Sequence, residues 1–149
     1  MFLRAHFAEA IAKLTTVDID EDLIGVAEKF FGFDSSAPVE SLVADAYKFV
    51  NDLESNSYDL IFFDVNYEED NVQVSPPLKF FETDFLNKLL ESVSSQGGLI
   101  AMNIIIPDKN TNKKCLTSVK NLPNCAIFRS KMEEDKNEVV FVARGIDRE

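Results

Sequence analysis

The chain has 149 residues, of which 46% are hydrophobic, and a formal net charge of −11. This length and apolar share predict one domain with a hydrophobic core. The negative charge argues against non-specific binding to nucleic acids or to membranes, because both are anionic. A basic protein partner is compatible with it.

The N-terminal part of the sequence predicts a helix, a strand and a second helix. Apolar periodicity indicates helices over residues 2–11 and Glu21–Phe31, separated by a strand over Lys13–Ile19. Asp20 is a suitable N-cap for the second helix, and Gly32 is a suitable C-terminal stop. We expect the inward face of the second helix to consist of Leu23, Ile24, Ala27, Phe30 and Phe31.

The rest of the chain continues the alternation of strands and helices. Residues 67–77 interrupt it with a long irregular loop, and such loops are often lids or binding loops. The last two strands follow one another directly. The pattern predicts an α/β fold with a mostly parallel sheet and an antiparallel C-terminal hairpin. The predicted elements are strand Val39–Val43, helix Ala46–Leu53, strand Tyr58–Asp64, helix Glu82–Val93, strand Leu99–Ile106, helix Asn110–Asn121, and strands Ala126–Ser130 and Glu138–Ala143.

The cysteines and the histidine do not indicate a metal site. Cys115 and Cys125 lack metal-ligand spacing, and His6 is the single histidine. Reduced, buried or half-buried cysteines are typical of cytosolic proteins, so we expect a cytoplasmic location. No apolar run approaches the roughly 18 to 20 residues of a membrane span. The first ten residues are too polar for a secretory signal.

Acidic residues stand at the ends of three predicted strands. They are Asp18, Asp45 and Asp64. Ligands of open parallel sheets bind at the carboxyl ends of the strands, where we expect these acids to converge. A carboxylate there can accept hydrogen bonds from both hydroxyls of a ribose or from an amine. The pattern indicates a nucleotide-like ligand.

Each acid also has a purely structural interpretation. Asp20 and Asp45 are suitable helix caps, and Glu21 and Asp22 can stabilise the first helical turn through the helix dipole. Asp18 is the strongest candidate for ligand binding, because it interrupts an apolar run where the strand emerges.

Three motifs in order resemble a known enzyme family. They are VDIDEDLIGVAEKFFGF at 17–33, VADAYKFV at 43–50 and YDLIFFDV at 58–65, followed by Pro76-Pro77 and by Phe85-Leu86. The set resembles the spermidine-synthase-like branch of class I S-adenosylmethionine-dependent methyltransferases. Within that branch it is similar to the enzymes that methylate a lysine and the N-terminal amine of elongation factor 1-alpha. The resemblance implies a Rossmann-like three-layer sandwich.

The resemblance also implies roles for individual residues. Asp18, followed by Ile19, would bind the ribose hydroxyls of S-adenosylmethionine. Asp45 would accept a hydrogen bond from the adenine amino group, and Ala46 would supply a backbone contact. Asp64 would lie near the methionine part of the cofactor and near the incoming amine.

The implied chemistry is attack of a neutral amine on the sulfonium methyl group. Asp64 and Asn66 would be the catalytic residues, and Val65 and Tyr67 would continue into the substrate pocket. The reaction needs mainly alignment and exclusion of water. The implied partner is a protein substrate, elongation factor 1-alpha, and members of this branch often form homodimers.

The family's first strand and glycine-rich loop are not found before the helix predicted from Phe2. The chain has five glycines, and none lies in a G-x-G pattern near the start. We therefore expect residues 1–149 to form a single, N-terminally truncated domain, and we do not expect methyltransferase activity from this chain alone. It would be a fragment, a short form that borrows a strand from a partner, or a domain whose sheet closes without a cofactor site.

Two other functions remain open at this point. One is a catalytically inactive interaction or dimerisation module. The other is an aminopropyltransferase, although such enzymes usually have an acid three residues beyond Asp64, where this chain has Tyr67. Asn103, inside a predicted strand, either lines the edge of the pocket or satisfies a neighbouring backbone group.

Overall fold

The structure is a computed structural model that describes residues 9–34, 38–69, 72–131 and 137–146. The chain divides into two compact units, Met1–Phe49 and Val50–Glu149. The helix predicted over residues 2–11 falls mostly outside the described residues, and residues 9 and 10 form a turn. Among the described residues, no helix combines the length and the hydrophobicity needed to span a bilayer.

The first unit contains a pair of parallel strands joined by a helix. Strand β1 (Leu14–Asp18) pairs with β2 (Val39–Val43), and Asp18 lies opposite Val43. Helix α1 (Glu21–Phe31) connects them. Its predicted ends are confirmed: the Asp20 side chain accepts hydrogen bonds from two backbone N–H groups of the first turn, and Gly32 ends the helix at φ 62°.

Three of the five residues predicted to face inward on α1 are exposed instead. Leu23, Phe30 and Phe31 are 52%, 67% and 77% exposed, and no residue of the helix is buried. Ile24 and Ala27 are half-buried. The periodicity therefore identified the helix correctly, and the predicted orientation agrees with the structure for Ile24 and Ala27 but is wrong for Leu23, Phe30 and Phe31.

The side of α1 that faces the strands carries two glutamates. Glu21 and Glu28 line a cleft of about 790 Å³ between the helix and the β1–β2 pair. With 3.6 residues per turn, Leu23, Val26 and Phe30 lie on the opposite side. We call these three residues the outer stripe of α1. It leaves a row of large apolar side chains in contact with water.

Helix α2 (Ala46–Asp52) follows β2 and continues across the boundary between the units. The second unit is built on a four-stranded sheet with the order β3–β6–β8–β7. Strand β3 (Leu60–Phe63) runs parallel to β6 (Leu99–Ile104). Strand β8 (Glu138–Arg144) is antiparallel to β6 and to β7 (Cys125–Lys131). The predicted α/β class and antiparallel C-terminal hairpin are confirmed.

The segment predicted as a loop after β3 instead contains a short hairpin. Strands β4 (Tyr67–Glu69) and β5 (Val72–Val74) pair antiparallel. Backbone hydrogen bonds in both directions, of 3.0 and 2.7 Å, then join Ser75 to Ile105 beyond the end of β6. The strands of this hairpin were not predicted because the segment is rich in acidic residues, and strands are poor in Asp, Asn and Glu.

The core of the second unit forms where helices cover one face of the sheet. Phe63, Phe80 and Phe85 pack edge-on or tilted, with ring centroids 5.0 to 5.9 Å apart. Such aromatic pairs add about 0.5 to 1.5 kcal/mol beyond simple burial. The covering helices are a 3₁₀ turn (Leu78–Phe81), α3 (Thr83–Ser92) and α4 (Lys109–Lys120), and the buried sheet residues include Ile100, Met102, Ile104, Val140 and Val142.

Truncating Phe85 should destabilise the protein strongly. Phe85 is 1% exposed, so Phe85→Ala should cost about 3 to 5 kcal/mol through lost burial and cavity formation. Phe128 is 58% exposed, and Phe128→Ala should cost less than about 1 kcal/mol. Urea unfolding of the two variants checks this, and equal costs would contradict the described core.

Candidate functional site

The first cluster of predicted site residues lies where β1 ends. The Asp18 carboxylate is half-buried, and its Oδ1 accepts a 2.9 Å hydrogen bond from the backbone N–H of Asp20. No residue in the described part of the chain bonds the second oxygen, Oδ2. Ile19, which follows, is 72% exposed. The turn after β1 therefore fixes a carboxylate with one oxygen left for a ligand.

Asp45 lies just beyond the neighbouring strand. Its Oδ1 accepts a 2.8 Å hydrogen bond from the backbone N–H of Tyr47, so it caps α2 as predicted. The Ala44 N–H donates to the Asp18 carbonyl oxygen at 2.8 Å and extends the parallel pairing past the strand ends. The structure thus brings Asp18, Asp45 and the following Ala46 to the carboxyl edge of the β1–β2 pair.

The second cluster lies at the carboxyl edge of β3 and β6. Phe63 pairs with Met102, so the next residues along, Asp64 and Asn103, also lie side by side. The Asn103 Nδ2 donates a 3.0 Å hydrogen bond to Asp64 Oδ1. Of the two interpretations of Asn103, the one in which it satisfies a backbone group is wrong, since its amide bonds a carboxylate.

The chain after Asp64 is held by a serine that the sequence analysis did not identify. Ser75 is fully buried, and its hydroxyl donates a 3.0 Å hydrogen bond to the Val65 carbonyl oxygen. Asn66 is exposed beside this anchored residue. The signal for Ser75 was weak, because a serine before Pro76 is also typical of an ordinary turn.

A further acid after β6 proves to be a helix cap. Asp108 Oδ1 accepts hydrogen bonds from the Thr111 hydroxyl at 2.7 Å and from the Thr111 N–H at 2.8 Å. These bonds, the side-chain bond foremost, hold the pKa of Asp108 below its usual value of 3.8. Asp108 therefore caps α4 and is not assigned to the edge that carries Asp64.

The two cysteines lie in the interior. Cys115 and Cys125 are buried thiols outside any disulfide, and burial raises the pKa of the Cys115 thiol. This agrees with their prediction as reduced interior residues. His6 lies outside the described residues. Within the described ranges, no three His, Cys, Asp or Glu residues are grouped so as to hold a metal ion.

Taken separately, the two edges offer different chemistry. The edge with Asp18 presents a fixed carboxylate that can accept from a pair of hydroxyls. The edge with Asp64 presents a carboxylate next to a side-chain amide. Hydrogen bonds that involve a charged partner are stronger than neutral ones, so both carboxylates are suited to polar ligands.

Comparison with curated proteins finds relatives of one kind. The chain is 30% identical over 138 residues to the eEF1A lysine and N-terminal methyltransferase of Danio rerio, and 27% identical over 147 residues to that of Homo sapiens. These alignments cover 90% and 95% of this chain, and 20% of each relative. The chain therefore spans about a fifth of the length of these relatives.

Solved structures share the fold. Human methyltransferase-like protein 13 in complex with SAH superposes with a TM-score of 0.82 at 24% identity, covering 95% of this chain and 64% of that one. A probable spermidine synthase from Corynebacterium glutamicum superposes with a TM-score of 0.67 at 19% identity, covering 87% and 46%. These likenesses confirm the predicted Rossmann-like methyltransferase fold.

A family model also matches most of the chain. Residues 4–131 match the family described as the spermine/spermidine synthase domain. The match includes both carboxylate-bearing edges, with Asp18, Asp45 and Asp64. The chain belongs to the spermine/spermidine synthase domain family.

Proposed function

We propose that this chain is an S-adenosylmethionine-dependent methyltransferase domain whose substrate is a protein amine, a lysine or the N-terminal amine of elongation factor 1-alpha. The proposal includes activity of the chain itself, in contrast to the expectation from the sequence, because the structure retains both carboxylate-bearing edges. The observation that carries the proposal is the half-buried Asp18 carboxylate, fixed through one oxygen at the end of β1. The names of the aligned relatives, eEF1A lysine and N-terminal methyltransferases, support the reaction and the substrate.

The residues at the first edge fit the polar groups of the cofactor. Asp18 would accept from the ribose hydroxyls through its remaining oxygen, beside the exposed Ile19. Asp45 would accept from the adenine amino group, and the backbone of Ala46 would contact the ring. S-adenosylmethionine, when bound, supplies a methyl group on a positively charged sulfur.

The residues at the second edge fit an amine substrate. Asp64 would attract the cationic amine and take up the proton that it loses, and Asn66 would help to hold it. The rest of the catalysis would come from alignment and exclusion of water. A polyamine substrate is less well supported, because the residue three positions beyond Asp64 is Tyr67 rather than an acid.

We also propose a cytoplasmic location. Two buried cysteines without a disulfide are typical of a reducing compartment.

We further propose that the chain forms a homodimer, which corresponds to the alternative role of an interaction module. The observation that favours it is the outer stripe of α1, which exposes Leu23, Val26 and Phe30. Helix α1 is acidic in its first turn and has Lys29 in its last. An antiparallel α1 from a second copy would set opposite charges against one another at both ends of the stripe.

Loss of the Asp18 carboxylate should weaken cofactor binding. Replacing a charged acceptor by a neutral one removes about 1.5 to 3 kcal/mol, so Asp18→Asn should raise the Kd for S-adenosylmethionine about tenfold to a hundredfold. Calorimetric titration measures this directly. The matched control is Asp20→Asn, which keeps a good N-cap and should leave the Kd unchanged. Equal effects of the two substitutions would refute the assigned role of Asp18.

The dimer can be tested by placing a charge in the outer stripe of α1. Phe30→Glu should abolish self-association, because a dimer would have to bury an unpaired carboxylate. Phe128, similarly exposed in the other unit, provides the control, and Phe128→Glu should leave the dimer intact. Sedimentation velocity distinguishes the species. A wild-type chain that is monomeric at high micromolar concentration would rule out the homodimer.

A further inference from the structure

The hydrogen bond between Asn103 and Asp64 joins two neighbouring parallel strands at their carboxyl ends. Asn103 belongs to β6, which pairs with β3 on one side and with β8 on the other, where Asn103 lies opposite Val139. Asp64 is the first residue beyond β3 and is exposed. The donor therefore lies within a strand that is paired on both sides, and the acceptor is an exposed carboxylate just beyond a strand end.

The hydrogen bond from Asn103 restricts rotation of the Asp64 carboxylate. The terminal torsion of an aspartate side chain is broad, so an unbonded carboxylate at a strand end samples many orientations. The 3.0 Å bond from Asn103 Nδ2 engages Oδ1 only. It therefore fixes the carboxylate plane while the Oδ2 oxygen stays available to another donor.

The charge of Asp64 is not neutralised locally. Within the described residues no Lys or Arg forms an ion pair with it, and its side-chain partner is a neutral amide. No described residue donates to the Asn103 amide oxygen. The two side chains together thus present two acceptor oxygens, Asp64 Oδ2 and Asn103 Oδ1, to a group with several N–H donors.

We propose that Asn103 is a positioning residue that orients the Asp64 carboxylate toward the incoming amine. This inference rests on the proposed methyl transfer and assigns a role to a residue that the motifs did not include. The amine would donate to Asp64 Oδ2 and to Asn103 Oδ1, so that its lone pair is aligned for attack. Alignment of this kind contributes to the rate more than to cofactor affinity.

The test compares three variants with the wild-type chain. Asn103→Leu removes the donor at similar volume, and Asn103→Gln keeps an amide on a longer side chain. Asn87→Leu is the matched control, because Asn87 is half-buried on α3 and is not assigned to the site. Methyl transfer to a lysine-containing peptide gives kcat and KM, and calorimetry gives the Kd for S-adenosylmethionine.

We expect Asn103→Leu to lower kcat about tenfold to a hundredfold, as for removal of one positioning contact. The Kd for the cofactor should stay the same, Asn103→Gln should recover part of kcat, and Asn87→Leu should leave kcat unchanged. In an Asp64→Asn background, Asn103→Leu should have little further effect, because both residues act through one carboxylate.

The negative results distinguish failure of the positioning role from failure of the proposed function. An unchanged kcat in Asn103→Leu, or full additivity with Asp64→Asn, overturns the positioning role and leaves the proposed function standing. Absence of cofactor binding and of methyl transfer in the wild-type chain refutes the proposed function and the inference with it. The ¹⁵N side-chain amide signal of Asn103 identifies the bond independently. Its chemical shift should change in the Asp64→Leu variant. An unchanged chemical shift would contradict the hydrogen bond between Asn103 and Asp64.

Discussion

Parallel pairing of neighbouring strands determines where this chain can present functional groups. In each parallel pair both strands end at the same edge, where the chain leaves the sheet. Asp18 and Asp45 reach one such edge because β1 and β2 pair in register and the pairing continues to Ala44. Asp64 and Asn103 meet at another edge for the same reason. The side-chain chemistry depends on these two registers.

The two units differ in how well their elements are buried. In the second unit, the aromatic cluster around Phe85 and the central strand β6 lie in a continuous core, so the Asp64–Asn103 contact rests on rigid elements. In the first unit, α1 buries no residue and exposes its outer stripe. A partner that covers this stripe would remove a substantial apolar surface from water, which gives the interaction role a physical basis.

Local chemistry made much of the fold predictable. Asp20, Asp45 and Gly32 were identified as helix ends from their side-chain hydrogen bonding or backbone freedom, and the structure confirms all three. The orientation of α1 could not be predicted, because periodicity shows that an apolar side exists and not which element covers it. The Asn103–Asp64 contact was also missed, since these residues lie 39 positions apart and only the β3–β6 register joins them.

The central claim is that the carboxyl edge of β1 and β2 binds the nucleoside part of S-adenosylmethionine. The most direct measurement is a backbone amide NMR titration of the ¹⁵N-labelled chain with S-adenosylhomocysteine. We predict shift changes concentrated at Asp18–Asp20 and Asp45–Tyr47, with little change at Phe128 on the far hairpin. A folded chain whose spectrum does not respond, or responds only away from these segments, would contradict the account.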